Sequence, residues 1–459
     1  IRWRKSVVSG SGKRVLFVAY YFPPRGGAGV QRSLKFVKYL RRFGWEPTVL
    51  TDDYSKRSGA FDDTLLSEIP GDTRIVRIPS SEDFFVALSR IGLGRLAGVL
   101  LRPDTQVTWV KKALTVAREL HEREPFDAVY TSVQPWSMGL VGLRLKSELG
   151  IPWVCDFRDP WASSVHLVWP SRSYWEKDRD LEGRFIESAD RTLVVTPTMR
   201  DEFLAAHPSV SPHKVQVLYN GYDTDDLNAV PNGGDGRFTI VFTGKFQYDC
   251  GHERPNAWQR LRRIGSYAAR DVVLDTHSPA YFLRGLAEFL ARFADRRAKT
   301  RVVFAGTILP GNREIVNQLA LADVVETRGY LPHGESVALA RAADALLLPM
   351  FSTPNPTERV AYASGKVFEY MEARRPILAL VQEGDAKDLA LESGLGVVVA
   401  PRDVSAISRA IEMLYDNWAA GGGRFRPNEE FIRSFTRESL TRQLAKTLDA
   451  ITADAGGAW

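Results

Sequence analysis

Short apolar runs alternate with amphipathic helical patterns along nearly the whole chain, and the alternation stops once and restarts. Brief runs bounded by turn residues read as buried strands, whereas apolar residues at i, i+3, i+4 and i+7 read as helices. Strands are predicted over 15–19, 47–50, 74–78, 128–131, 153–157 and 192–195. After Asn220-Gly221-Tyr222-Asp223 the loop PNGGDG at 231–236 reads as an inter-domain linker. The series resumes at 238–243, 301–305, 324–327, 345–349, 377–380 and 396–399. Strands separated by helices pair in parallel, so the pattern predicts an α/β protein with two doubly wound parallel sheets. Two similar domains facing a cleft follow, with ligands at the carboxyl ends of strands. The expected division is a basic tail over 1–12, a first domain over 13–229, and a second over 237–425 that carries an insertion at 247–276. Amphipathic helices at 405–418 and 429–453 end the chain, and the region 426–459 is expected to pack back toward the first domain.

Composition permits a large enzyme. A chain of 459 residues suffices for two or three cores, and 44% apolar with 25% charged residues is ordinary for a globular protein. Every apolar run falls short of the roughly 20 residues a spanning helix needs. Only Cys155 and Cys250 are present. They indicate no disulfide framework, and with no hydrophobic leader opening the sequence, a reducing cytoplasm is the expected home. The net charge of +6 is modest, but Arg41, Arg42, Arg90, Arg95, Arg102, Lys111 and Lys112 accompany the apolar stretch 84–101. Such a surface suits peripheral contact with an anionic membrane face or a lipid-linked substrate, the alternative being a packed helix pair with solvated charges. No nucleic-acid motif accompanies the charge, and nucleic acid is not an expected partner.

Two segments carry chemistry. The stretch SGKVFEYMEARRPILAL at 364–380 reads as a polar loop, a helix and a buried strand. Ser364, Gly365, Lys366 and Val367 offer backbone N–H groups and positive charge at a helix start, and Glu369 lies about a turn further in, as a nucleotide-diphosphate grip requires. An amphipathic helix with solvated charges is the plainer alternative. Near the start, RVLFVA, YYFPPRGGAGVQ and RSLKFVKYLRRFG follow in the order strand, loop, helix. Gly26, Gly27 and Gly29 let the backbone approach an anion or a sugar at that helix N-terminus. A dinucleotide fingerprint fits poorly, because Arg32 stands where the third glycine belongs and Pro23 and Pro24 lengthen the loop.

In sequence order, YYFPPRGGAGVQR (20–32), VCDFRDPW (154–161), ADRTLVVTPTM (189–199), VLYNGYD (217–223), VFTGKF (241–246), RVVFAG (301–306), TRGYLPHGE (327–335), ADALLLPM (343–350) and the 364–379 segment span nearly the whole chain. As an ordered set they resemble the retaining, nucleotide-sugar-dependent glycosyltransferases of family 4, also called group 1, which have the GT-B fold of two Rossmann-like domains. The resemblance implies a donor bound mainly by the second domain and an acceptor, a glycan, glycolipid or lipid-linked precursor, bound mainly by the first. It implies that Glu369 binds the ribose hydroxyls, that Ser364 to Val367 with Gly244 and Tyr330 complete the donor site, and that Lys245 neutralises the leaving diphosphate. No cofactor and no catalytic metal are expected. Arg158 and Asp159 are implied to orient sugar and acceptor hydroxyls; Trp161, just after this pair, is the one nearby aromatic singled out as able to stack on a sugar face, most large aromatics being core or interface.

Three departures accompany the resemblance. Ala361 occupies the position of the first acid of the Glu-x7-Glu motif, with Glu358 as the nearest substitute; Arg158-Asp159 replaces a frequent His-Asp; and the second basic residue of the donor site has no clear match, Arg254 and Arg284 being candidates. Two other readings stay open: a nucleotide-sugar 2-epimerase using Asp156 and Asp159, and a non-catalytic sugar-nucleotide-binding protein.

Overall fold

The computed structural model describes residues 12–54, 61–80, 101–225, 235–250 and 265–456. Residues 1–11 of the predicted basic tail, nearly all of the apolar stretch 84–101, the linker residues 231–234 and the middle of the insertion, 251–264, lie outside the described residues. The chain divides into two compact units, residues 1–220 with 437–459 and residues 221–436.

The first unit contains a seven-stranded parallel sheet: β1 (Lys13–Val18), β2 (Trp45–Asp52), β3 (Arg74–Ile78), β4 (Ala128–Val133), β5 (Trp153–Phe157), β6 (Arg191–Val194) and β7 (Val215–Val217). Its order is β3-β2-β1-β4-β5-β6-β7. The winding reverses between β1 and β4, so the loops leaving those two strands diverge and open a crevice at their carboxyl ends. Helices α1 (Ala28–Tyr39), α2 (Val107–Arg123), α3 (Ser137–Leu149), α4 (Arg172–Ser188) and α5 (Pro197–Ala206) connect the strands. The sequence pattern misses β7, whose VQV is too short to show a period.

The second unit repeats the plan with six parallel strands: β8 (Phe238–Thr243), β9 (Thr300–Ala305), β10 (Val325–Gly329), β11 (Ala345–Pro349), β12 (Ile377–Leu380) and β13 (Gly396–Val399), in the order β10-β9-β8-β11-β12-β13. Its helices are α6 (Ala280–Arg292), α7 (Pro310–Gln318), α8 (His333–Ala342), α9 (Gly365–Ala373), α10 (Asp385–Glu392), α11 (Val404–Ala419) and the short α12 (Glu429–Ser434). Here the winding reverses between β8 and β11. Phe282, Leu286 and Phe289 of α6 join Ile407, Ile411 and Leu414 of α11 in the core, each removed from water and worth about 1.5–3 kcal/mol in transfer free energy.

The single helix expected over 429–453 is two helices. Phe435 leaves the α-helical ladder, donating its N–H to Ile432 O at 3.1 Å, and its ring packs on Phe368 and Phe431. The final helix, α13 (Arg437–Gly456), then belongs to the first unit. It packs on α1 and inserts Leu440, Leu444, Leu448 and Ile451 into that core. The i, i+4, i+8, i+11 spacing puts these side chains on one stripe, which is why this amphipathic helix buries here.

Candidate active site

Three loops of the second unit pack backbone against backbone at the carboxyl ends of its strands. Gly244 follows β8 with φ 117°, Gly306 follows β9 with φ 133°, and Gly329 closes β10 with φ 69°. The Gly244 N–H donates to Ala305 O at 2.6 Å and the Gly306 N–H donates to Gly329 O at 2.5 Å. A Cβ on Gly306 would run into the Gly244 carbonyl, and one on Gly244 would run into the ammonium end of Lys366. Backbone conformation favours glycine at both positions, and at Gly306 the backbone of Gly244 leaves no space for a side chain, whereas at Gly244 the neighbour is the movable end of Lys366. Gly244→Ala is therefore expected to cost about 1–3 kcal/mol of stability and to displace Lys366. Thermal melting of the variant, with and without a nucleotide diphosphate, checks both effects.

Lys366 belongs to α9, whose N-cap is Ser364. The Ser364 hydroxyl accepts from the Lys366 N–H at 3.3 Å, and the Val367 N–H donates to Ser364 O at 3.0 Å. Gly365, at the first helical position, is exposed. Its N–H belongs to the first-turn set that has no partner inside a helix. Glu369 lies four residues on, hence on the same helix face as Gly365, and is half-buried between the buried side chains of Phe368 and Tyr370. The Tyr370 hydroxyl accepts from the Thr243 N–H at 3.1 Å and thereby ties α9 to the end of β8, and burial pushes this phenol up to about 12. Val367, expected at the donor site, is wholly buried and its N–H is already engaged by Ser364 O, so it serves the packing of α9 rather than a ligand.

Lys245 is exposed, whereas the next residue, Phe246, is buried and stacks on Phe242 with centroids 4.0 Å apart. The pair fixes the backbone of the loop and leaves the Lys245 ammonium in solvent beside Gly244. Tyr330, directly after Gly329, is 79% exposed and presents its ring at the carboxyl end of β10. The site therefore gathers one helix N-terminus, the Lys366 ammonium and a carboxylate one turn along, with Lys245 next to the Gly244 turn.

Ala361 is buried. Its substitute Glu358 faces Arg270, with Oε1 3.8 Å from Nε, and its carbonyl accepts from Gln382 Nε2 at 2.7 Å. Gln382, which sequence reasoning passed over, also accepts from the Thr353 N–H at 2.6 Å, so it clamps the segment between β11 and α9.

In the first unit, α1 starts after Gly27, the N-cap, which has φ 100°. A Cβ on Gly29 would lie 2.7 Å from Arg158 Nη1. The Arg158 guanidinium donates to Gly29 O, and to Gln134 O at 2.5 Å, so this buried side chain, arriving from the end of β5, braces the loops that leave β1 and β4. Its Nε is buried and has no hydrogen-bond partner among the described residues. Arg158 thus acts through the loops it holds, rather than as half of an ion pair with Asp159. Asp159 is half-buried, and burial pushes its carboxyl above the ordinary carboxylate range while the Arg158 charge pulls it back.

Two readings of the sequence are corrected. Trp161 is fully buried and stacks on Trp136, ring centroids 4.9 Å apart, with Phe185 on the same cluster, so it offers no sugar platform. Asp156, considered as an acid or base, is fully buried and held by Arg32, whose Nε and Nη2 donate to its two oxygens at 2.7 and 2.9 Å, and by the Tyr130 hydroxyl. Arg32 also donates to Leu218 O at 2.9 Å, Tyr219 O at 2.7 Å and Asn220 Oδ1 at 3.4 Å. Burial is the largest single influence and works against the Arg32 charge, but the charges and hydrogen bonds of Asp156 and Tyr130 together outweigh it and the net shift is upward. The signal for this pair lay in two charges placed where the pattern is apolar: Arg32 in register with Phe36 on α1, and Asp156 inside VCDF.

Two doubly wound sheets, each with a glycine turn and a helix N-terminus at its carboxyl edge, define the GT-B class of fold. The family model described as Glycosyltransferase Family 4 matches residues 27–226, and that described as Glycosyl transferases group 1 matches residues 275–417. The chain belongs to this glycosyltransferase family. It is 25% identical over 306 residues to a D-inositol 3-phosphate glycosyltransferase of Paenarthrobacter aurescens, covering 65% of this chain and 66% of that protein. It is 26% identical over 275 residues to a GDP-mannose-dependent alpha-mannosyltransferase of Mycolicibacterium smegmatis, covering 56% and 60%. The chain thus spans less than two thirds of the length of these curated relatives. Among solved structures, a glycosyltransferase from Rickettsia africae aligns with a TM-score of 0.62 at 12% identity over 96% of this chain and 99% of that one, which supports the fold.

Proposed function

We propose that this protein transfers a sugar from a nucleotide-diphosphate donor to a hydroxyl of a glycan, glycolipid or lipid-linked acceptor, with retention at the anomeric carbon. The observation that carries the reading is the α9 N-terminus, where Ser364, Gly365 and Lys366 meet the Gly244 turn and Glu369 sits one turn along on the face of Gly365. A helix N-terminus binds a pyrophosphate through its outward N–H groups and its dipole. A carboxylate one turn away accepts two hydrogen bonds from the vicinal hydroxyls of a ribose. Tyr330 borders the site from β10.

In this mechanism the bond from the anomeric carbon to the diphosphate breaks first, leaving an oxocarbenium-like sugar. The acceptor hydroxyl attacks from the same face, and the departing phosphate oxygen takes its proton. Lys245, Lys366 and the helix amides meet the charge that develops on the leaving diphosphate, which is where preorganised donors lower a barrier most. The Gly26, Gly27 and Gly29 loop and Asp159 serve the acceptor, with Arg158 setting the geometry of that loop. Among the described residues no helix is long and apolar enough to cross a membrane. A cytoplasmic enzyme that reaches its acceptor at an anionic membrane face fits this reading.

A thermal-shift panel of UDP-, GDP-, ADP- and dTDP-sugars tests the donor site. A ligand at a hundred times its Kd stabilises the folded state by about 2.7 kcal/mol, so one nucleotide class should raise the midpoint clearly. Glu369→Ala should abolish that rise. A panel without effect on the wild type, or an undiminished rise in the variant, would remove the assignment. Incubation with the stabilising donor and no acceptor separates the epimerase alternative, which would yield a new nucleotide sugar.

A further inference from the structure

A second cavity of about 510 Å³ opens at the carboxyl ends of β12 and β13 in the second unit, and its lining shares no residue with the donor site. Its size lies within the range of about 300–1,000 Å³ typical of small-molecule sites. Pro354, Pro356 and Pro401 form flat apolar walls, and Glu383, Lys387 and Arg402 stand among them. The base is already built. Ser352 and Val273 exchange backbone hydrogen bonds at 2.8 and 3.3 Å, and the Gln382 clamp holds Thr353 in place.

The charges decide the ligand class. Lys387 is paired with Glu383, and Arg402 Nη2 donates to both carboxylate oxygens of Asp275 at 2.9 Å. Asp275 is held from the other side by the Tyr281 hydroxyl at 3.1 Å. Each cation has its own carboxylate, so the rim carries no surplus positive charge with which to select a phosphate. It still keeps hydrogen-bonding capacity: an ammonium has three donors and a guanidinium five, and a carboxylate oxygen accepts more than one bond. A purely apolar ligand would desolvate these ion pairs and leave their remaining hydrogen-bonding capacity unmet, which is costly. A ligand that satisfies both halves of the lining has hydroxyls along its edges and C–H groups on its faces. We propose that this cavity binds a neutral oligosaccharide, with pyranose faces against the prolines and hydroxyls on Glu383, Lys387 and Arg402.

The test uses the full chain with maltotetraose, cellotetraose and mannotetraose as neutral probes and glucose 6-phosphate and inorganic phosphate as anionic ones, read by isothermal titration and saturation-transfer NMR. At least one neutral probe should bind with a Kd on the order of 1 mM or tighter. Ala400 lines the cavity and is exposed, so Ala400→Trp blocks it from the solvent side and should abolish that binding. Arg402→Gln should weaken it about tenfold, through loss of a charged donor. The nucleotide-sugar thermal shift should be unchanged in both variants, which shows them folded and separates this site from the donor reading. The proposal is overturned if none of the neutral probes binds, if binding survives Ala400→Trp undiminished, or if the anionic probes alone occupy the cavity.

Discussion

Replacing Arg32 by Met is expected to destabilise the first unit by about 3–5 kcal/mol, the scale for breaking a buried ion pair from one side. The side chain is 1% exposed and its donors are distributed over Asp156, Leu218, Tyr219 and Asn220. Removing it leaves the Asp156 carboxylate fully buried with, among the described residues, only the Tyr130 hydroxyl as a side-chain partner, and takes a donor from the carbonyls that follow β7. Most of the loss comes from the charge left behind rather than from the attraction removed. A double variant, Arg32→Met with Asp156→Leu, should therefore recover a substantial part of the loss, a coupling that only contacting residues show. Urea unfolding by circular dichroism checks both, with the first unit read from its own transition because a two-unit chain need not unfold in one step. Equal and additive losses in the two single variants and the double would contradict the pairing argument.

The second large effect is catalytic. Lys245→Ala should lower kcat by about 10²–10³-fold, the cost of one preorganised donor at a site of developing charge, with little change in the KM for the donor. The ammonium of Lys245 is solvated in the free protein, so its value arises only when bound substrate excludes water around it. Glu369→Gln should show the opposite split, a raised KM with kcat nearly intact, because a ribose contact holds ground and transition states alike. Steady-state kinetics with the donor identified by thermal shift distinguish the two patterns. A Lys245→Ala enzyme with normal kcat would return that residue to the status of a surface lysine.

Much of this was legible before the structure because the information is local. Parallel strands buried on both faces spell themselves as β-branched runs, and all six predicted strands of each half coincide with observed ones. The N-terminus of α9 was equally plain, since Ser-Gly-Lys before an apolar helix announces both a cap and a charge. The return of the last helix to the first unit was foreseen, but the direction and partners of individual side chains, which depend on contacts between distant segments, were not. Trp161 follows the Arg158-Asp159 pair in sequence, but its ring turns inward onto Trp136 and Phe185, and nothing local to position 161 encodes that direction. Arg158 looked like a substrate contact because its type suits one, whereas its partners are two carbonyls contributed by residues 129 and 24 positions away. The break at Phe435 and Thr436 was hidden by an amphipathic pattern that runs through it, and only packing on Phe368 reveals it.

The closing helix sets the order of events during synthesis. Because Leu440, Leu444, Leu448 and Ile451 fill the interior of the unit built by the opening half of the polypeptide, that half emerges from the ribosome missing one wall. The later unit is wholly translated while the earlier one waits, still exposing the greasy side of α1. A frameshift or premature stop just before residue 437 would therefore injure the unit translated earlier, not the one just completed.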